Sequence, residues 1–439
     1  MKTIVEKPRE IPVVSEVDVL VLGSGPAGFS AAVSAGCQGA KTMIVEQFGD
    51  VGGVATIGSM SHWGGRSESG FYHEILERME AERTDIEKKC NKGKNTINPE
   101  SLKNLCIDML EEAGVEILLY TMACEAIVED DVIKGVIVEN KSGRTAILAK
   151  VVIDCTGDGD IAARAGVSFY KGRESDHKMQ PLTLMFKVAG VDYDRAVFPG
   201  SFETNLDVPA GKIQDLAREN IPHPAGHALL YRSTLPGVVT CNMTNIINID
   251  ATDAKQLSNA HILCRKQMKP IVDFLHKFVP GFEKCYIMSA APLIGIRETR
   301  HFEGEETLKP EDILAARVFD DWVVSGAWFN FDVHSLSGAG LDKTGCQDGY
   351  QQNKGYTIPY GCLVPKKIDN LLLAGRNISG THLAHSNYRI MSVCADMGLA
   401  AGVAAKLAVD SEITVREVSA KDIQNIILGK YNCVHPDDL

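Results

Sequence analysis

Apolar and polar positions change their period several times along the chain. Val17, Val19, Leu20, Val21 and Leu22 form a nearly unbroken apolar run, which predicts a strand covered on both faces, as in a parallel sheet. A glycine-spaced turn (Gly23, Gly25, Gly28) leads into an alanine-rich helix pattern, and a second apolar run ends at Glu46. The predicted unit is strand, tight turn, helix, strand. A glycine-rich loop follows (Gly52, Gly53, Gly58, Gly64, Gly65), then a polar helical stretch over roughly 70–115. The short runs VEILLY, EAIVED and VIKGVIVEN predict strands, with a hairpin at EDDVIKGV. They lead into AKVVIDCTGDGDIAARAG, again strand, glycine turn and helix.

The middle, about 171–345, has another texture: proline-rich loops, an amphipathic helix pattern in ATDAKQLSNAHILCRKQMKPIVDFLHKF, and a Gly/Ser-rich polar stretch near DVHSLSGAG. An α/β pattern returns at KKIDNLLLAGRNIS, followed by the Ala/Gly-rich helix MGLAAGVAAKLAV and a tail with one short amphipathic helix. The predicted fold class is α/β: a nucleotide-binding domain over 1–170, interrupted by a mixed α+β substrate or cap domain over 171–350, resumed over 351–410, with a C-terminal helix and tail over 411–439.

Composition narrows the function classes. A formal net charge of -12 with no Lys/Arg-rich run leaves no electrostatic footprint for nucleic acid or an anionic membrane, so neither partner is expected. The start, MKTIVEKPREIPVV, has no uninterrupted apolar signal region, and no apolar run looks close to the roughly 20 residues that span a bilayer. A cytoplasmic protein is the expectation. The 12 cysteines are scattered without a CxxC, as in reduced, buried thiols; neither a redox-active pair nor iron–sulfur ligation is expected, nor any metal site.

The first glycine turn has a specific chemical logic. Gly23 permits the tight turn, Gly25 lets a pyrophosphate approach the backbone, and Gly28 lets the helix lie close to the strand, so that the anion meets the helix N-terminus through Gly25, Pro26 and Ala27. Glu46, ending the next strand, can accept bonds from ribose hydroxyls. Gly49, Gly52 and Gly53 lie where a longer cofactor needs further backbone, which favours FAD over a nicotinamide. The second glycine turn, TGDGDIAARAG, imitates a fingerprint but lacks a following strand with an acidic end, so no separate NAD(P)H domain is expected.

VLGSGPAG, EQFGDVGGVAT, DCTGDGDIAARAG with KGRESDHKMQP, GIRETRHFEGEETL, WFNFDVHSLSG and IPYGCLVPKKIDNLLLAGRNIS, taken in this order, resemble the FAD-dependent oxidoreductase family of glutathione-reductase-like Rossmann flavoproteins, over about residues 12–410. The resemblance implies non-covalent FAD under a substrate domain. It places Gly23, Gly25, Gly28 and Glu46 at the ADP-binding positions, Gly52 and Gly53 beneath the pyrophosphate, and Thr156, Gly157 and Asp158 in a second FAD block. Gly375 and Arg376 stand where many relatives have Gly-Asp, an acid replaced here by a base that also bonds phosphate oxygens.

With the flavin carrying the hydride, the protein must orient substrate and move a proton. His334 is the first candidate acid or base, because Asp332 lies two residues before it and would orient the ring or raise its pKa; the alternative is a backbone-bonded loop histidine. His382 and His385 share a helix face and serve either a proton relay or packing against the flavin. Arg297 is placed to clamp a substrate carboxylate or the flavin, Arg389 to reach the same pocket one turn beyond His385, and Arg300 to form an internal ion pair with Glu298. The expected activity is hydride exchange between FAD and a small polar substrate, hydroxylated or carboxylated. Two alternatives stand beside it: a reductase of an activated double bond fed by a partner protein, and a non-catalytic electron-transfer subunit. The external electron donor or acceptor is unidentified, and a homo-oligomer is one expectation.

Overall fold

A computed structural model describes residues 2–201, 204–342 and 352–439. Strand β1 (Val13–Leu22) enters the core at Val17, and Val19 to Leu22 are wholly buried. Helix α1 (Pro26–Cys37) returns the chain to β2 (Thr42–Val45), which pairs in parallel with β1. Strand β3 (Glu116–Leu118) adds outside β2, and β6 (Gly143–Asp154) lies on the other side of β1; both pair in parallel. The hairpin β4 (Met122–Glu129) and β5 (Val132–Asn140) pairs antiparallel with the first half of β6. Its turn is the one read from EDDVIKGV: Asp130 and Asp131 both take positive φ (50° and 61°), as a tight hairpin turn requires. The returning strand Leu371–Leu373 pairs in parallel with the end of β6 and completes the sheet.

The helix Met391–Ser411 lies against α1. A Cβ on Gly398 would collide with the Ala27 carbonyl, and one on Gly402 with the Ala31 carbonyl and the Ser34 hydroxyl, so glycine sets the distance between these helices. Ser34 Oγ donates to Leu399 O across the contact at 3.0 Å. By length and composition this helix could cross a membrane, which corrects the expectation that no such run exists. Its apolar window is 83% buried inside the protein, so its hydrophobicity is used in the core.

The second unit is a four-stranded antiparallel sheet, in the order Leu230–Arg232, Val239–Cys241, Phe186–Ala189, Tyr286–Ala290, with the helix Ala254–Phe278 contributing Met268, Ile271 and Leu275 to the same core. The two apolar cores divide the chain differently from the boundaries drawn above. The second core takes buried residues from Leu182 to Ile294 only, whereas Phe302, Trp322 and Phe331 already belong to the first. Buried aromatics thus anchor part of the loop-rich stretch within the expected 171–350 segment to the first core. The expected boundary at 350/351 itself lies outside the described residues. The C-terminal helix Ala420–Tyr431 joins the first core through Ile423, Ile427 and Tyr431.

Candidate active site

One continuous cavity of about 1130 Å³ runs from the β1–α1 turn to the inner face of the cap. At its nucleotide end Gly23 has φ +83° and donates its N–H to Val45 O (2.8 Å). Gly28 lies behind the turn, off the cavity, where any Cβ would collide with the Gly23 carbonyl. Gly25 caps α1 with an extended backbone and no side-chain capping bond, and a Cβ there meets nothing within 4 Å. The first turn of α1, with Pro26 and Ala27, thus opens its unpaired N–H groups onto cavity space. Gly53 lines the same space, while Gly52, off the cavity, holds the loop by donating its N–H to Ser24 O (2.8 Å). This cradle fits a pyrophosphate.

Glu46 is buried and lines the cavity, yet it also builds the turn. Its Oε2 accepts from Ser24 N (2.8 Å) and Ser24 Oγ (2.6 Å), and its Oε1 from Phe48 N (3.0 Å). Oε1 keeps a lone pair for a ribose hydroxyl. The second glycine turn is organised by a residue the sequence reading passed over. Asp154, fully buried, accepts from Thr156 N and Oγ1 and from Ile161 N and Ala162 N. The Thr156 hydroxyl is thereby turned into the protein. Asp158 accepts from Thr299 Oγ1 (2.6 Å) and pairs with Arg376 Nη1 (2.9 Å), and the arginine lies over Gly157 so closely that a Cβ there would sit 2.8 Å from Nη2. Thr156, Gly157, Asp158, Gly375 and Arg376 all line the cavity. The acid-to-base change at Arg376 is therefore matched by Asp158, which neutralises it.

At the cap end, Asp332 is the hub. Its Oδ2 accepts from Arg389 Nη2 (2.9 Å) and faces His334 Nε2 (3.2 Å). Burial alone would raise this carboxyl, but His334, Arg389 and Arg297 hold it well below the usual carboxylate range. The contact selects the His334 tautomer with hydrogen on Nε2 and Nδ1 as the accepting nitrogen. Asp332 does pull the His334 pKa upward, as expected, yet burial and the Arg297 charge outweigh it and leave the pKa at about 4. That corrects the expectation of an acid or base poised near neutrality: at neutral pH the ring is neutral and can only accept a proton. Arg297 lines the cavity, its Nη1 donating to Pro181 O (2.6 Å) and Thr183 Oγ1 (2.8 Å).

His382 and His385 do share the helix His382–Tyr388, but neither is among the cavity-lining residues. His382 Nδ1 (2.6 Å) and His301 Nε2 (2.8 Å) both face Glu298 Oε1 in a cluster closed to solvent. Glu298 Oε2 accepts from Gln180 N (2.9 Å), and Gln180 Oε1 in turn accepts from His334 N (3.2 Å). His382 thus connects to the His334 backbone through Glu298 and Gln180, whereas His385 meets His301 edge-on at 5.0 Å. Arg300 is bound to Asp160 Oδ1 (2.9 Å) and Asp158 O (2.8 Å), and Glu298 pairs with histidines, so among the described residues the expected Glu298–arginine bridge is not formed.

Sequence reasoning missed Tyr231, Asn242 and His62, which line the cap end. Tyr231 follows the fully buried Leu230 on a cap strand, so the alternation of a strand was the available signal that its ring faces the other side. Its hydroxyl accepts from Asn242 Nδ2 (3.3 Å), and its ring meets His62 edge-on at 4.5 Å.

Among curated proteins, the chain is similar to a thiamine thiazole synthase of Methanococcus vannielii, 29% identical over 32% of this chain and 56% of the relative. It is also similar to a digeranylgeranylglycerophospholipid reductase of Methanosarcina acetivorans, 26% identical over 40% of this chain and 46% of the relative. The chain spans about half the length of the curated relatives it matches. Among solved structures, a geranylgeranyl bacteriochlorophyll reductase-like protein from Thermoplasma acidophilum has a TM-score of 0.47 at 14% identity, covering 95% of this chain and 84% of that one. The p-nitrophenol 4-monooxygenase of Pseudomonas putida DLL-E4 has a TM-score of 0.49 at 11% identity, covering 95% and 87%. The family model described as FAD dependent oxidoreductase matches residues 18–427, and with the cradle at α1 this gives the conclusion: the chain belongs to the FAD-dependent oxidoreductase family, is an enzyme, and has FAD as its cofactor.

Proposed function

We propose that the enzyme exchanges a hydride between FAD and a small polar substrate, hydroxylated or carboxylated, held at the cap end of the cavity. The supporting observation is the continuity of that cavity from the nucleotide cradle to the Asp332–His334–Arg389 constellation. In this reading Gly23, Gly25, Pro26, Ala27, Glu46, Gly53, Gly157, Gly375 and Arg376 contact FAD directly, with Gly28, Gly52, Thr156 and Asp158 shaping the turns. FAD supplies the acceptor or donor of hydride when bound. His334, neutral at neutral pH, takes the proton when a hydroxyl substrate is oxidised and returns it in the reverse direction. Asp332 holds the ring and balances the charge it gains. Arg389 fixes Asp332, and Arg297 orients the substrate. An external electron donor or acceptor completes the cycle.

The test is anaerobic addition of hydroxy acids, polyols, sugars and amines to the holoenzyme, followed at the visible flavin band. Bleaching by substrate alone supports the reading; bleaching only by a reducing partner favours reduction of an activated double bond. With the bleaching substrate in hand, His334→Gln should lower kcat about 10²- to 10⁴-fold, the usual worth of a positioned base. In the unsubstituted enzyme kcat/KM should hold level from pH 7.5 down to about 5.5, with no histidine limb in that range, because the His334 pKa is about 4. An acid limb near the ordinary histidine value of about 6.5 would refute the assignment.

A further inference from the structure

The charges lining the cavity do not balance at its cap end. Arg376 is matched by Asp158, and Arg389 by Asp332. Arg297 has no carboxylate partner among the described residues: Nη1 is held by a carbonyl and a hydroxyl, neither charged. Asp332 is already shared between Arg389 and His334. Among the described residues of this constellation, two guanidiniums, one carboxylate and a neutral imidazole sum to one net positive charge, in a cavity also lined by Met185, Leu229, Ile294 and Phe329. Burial first, and repulsion from Arg389 second, lower the Arg297 pKa to about 10, so the cation is held at a cost that a bound anion would offset.

A second donor faces the same space. The Tyr231 hydroxyl accepts from Asn242 Nδ2, which leaves its own proton to give. Burial raises its pKa to about 12, so the proton stays on the oxygen at neutral pH. Arginine presents donors in a planar fork that matches a carboxylate, and tyrosine adds one directed bond.

We infer that the ligand of the cap end is a small carboxylate, its anionic group paired with Arg297 and one of its oxygens accepting from Tyr231. The inference rests on the reading above that this end holds the substrate, and it narrows that substrate from polar molecules in general to monoanions.

The test uses holoenzyme titrated with matched acids and amides at equal ionic strength: lactate against lactamide, glycolate against glycolamide, propionate against propionamide. Binding is followed by calorimetry and by the shift of the oxidised flavin band. At least one acid should bind, with its amide weaker by about tenfold or more, the usual worth of charged hydrogen bonds. Arg297→Gln should bring the acid down to the level of the amide while the flavin-to-protein ratio stays that of the parent. If that variant does not fold, Thr183→Val, which removes one anchor of Nη1 but keeps the charge, should give a smaller loss in the same sense. Three outcomes overturn the inference: acids and amides bind alike, no acid in the panel binds, or Arg297→Gln sheds FAD while keeping the preference for acids. Arg297-dependent acid binding without any anaerobic bleaching leaves the carboxylate site standing and refutes the hydride-transfer reading alone.

Discussion

Two glycines three positions apart in the nucleotide turn do separable jobs, and single substitutions tell them apart. Gly25 has φ −61°, ordinary for any residue, and open space around the place of a Cβ. Its lack of a side chain therefore serves the ligand and not the fold. Gly28 is the reverse, since its missing Cβ is what lets α1 lie on the Gly23 carbonyl. Gly25→Ala should leave the melting temperature of the FAD-free protein unchanged, but weaken FAD about ten- to hundredfold as the new methyl displaces the pyrophosphate from the backbone donors. Gly28→Ala should destabilise the FAD-free protein itself by about 1–3 kcal/mol, the usual cost of overpacking. Thermal unfolding of both variants without FAD, followed by FAD titration, checks the pair; equal melting temperatures would show that the division is wrong.

At the scale of elements, legibility in the sequence followed the range of the interaction. The strand–turn–helix–strand unit and the β4–β5 hairpin were readable because their signals are local: apolar period, turn glycines, and two aspartates able to take positive φ. The core that Phe302 and Trp322 join was not readable, because it depends on partners far away in the chain. The same holds for Glu298, whose neighbours in sequence suggested an arginine bridge while the fold delivered His301 and His382. The histidine pair 382/385 was placed on a helix as read, but which way the helix faces is a tertiary fact. The helix pair α1 and Met391–Ser411 turns this into a prediction. Gly398 abuts Ala27 in the first turn of α1, whereas Gly402 abuts Ala31 and Ser34 further along. Both Gly398→Ala and Gly402→Ala should lower stability by about 1–3 kcal/mol. Gly398→Ala alone should also weaken FAD binding clearly, because the displaced turn is the one whose N–H groups open onto the cavity. Similar FAD affinities for the two variants would show that the helix contact does not set the cradle.

For the whole molecule, the buried histidines make stability depend on pH in a definite direction. Burial lowers the pKa of His62 and His334 to about 4 and of His227 to about 3, and that of His385 well below its ordinary value. In an unfolded chain each returns to about 6.5. Between these values the unfolded state binds protons that the folded state refuses, so the histidine contribution is fully present above about pH 6.5 and is lost as pH falls toward 4. Asp396 works against them: burial raises its carboxyl to about 7, so it stabilises the folded state as pH falls through the same window. The four histidines take up protons on unfolding, opposed by Asp396 and by Asp154, whose buried carboxyl is also raised, which leaves a net uptake of about two near pH 5, or roughly 3 kcal/mol of stability lost per pH unit. Against a total of about 5–15 kcal/mol, that predicts steep acid unfolding near pH 5. Urea denaturation of the holoenzyme at intervals from pH 7.5 to 4.5 measures the slope directly. His227 is the group to remove, because its ring lies behind the cavity with Nε2 against Asn242 O (2.9 Å) and takes no part in the proposed chemistry. His227→Asn should be less stable at pH 7.5 yet have a slope shallower by about one proton. A slope unchanged by that substitution, or a stability flat between pH 7 and 5, would mean that the buried rings do not carry the pH dependence.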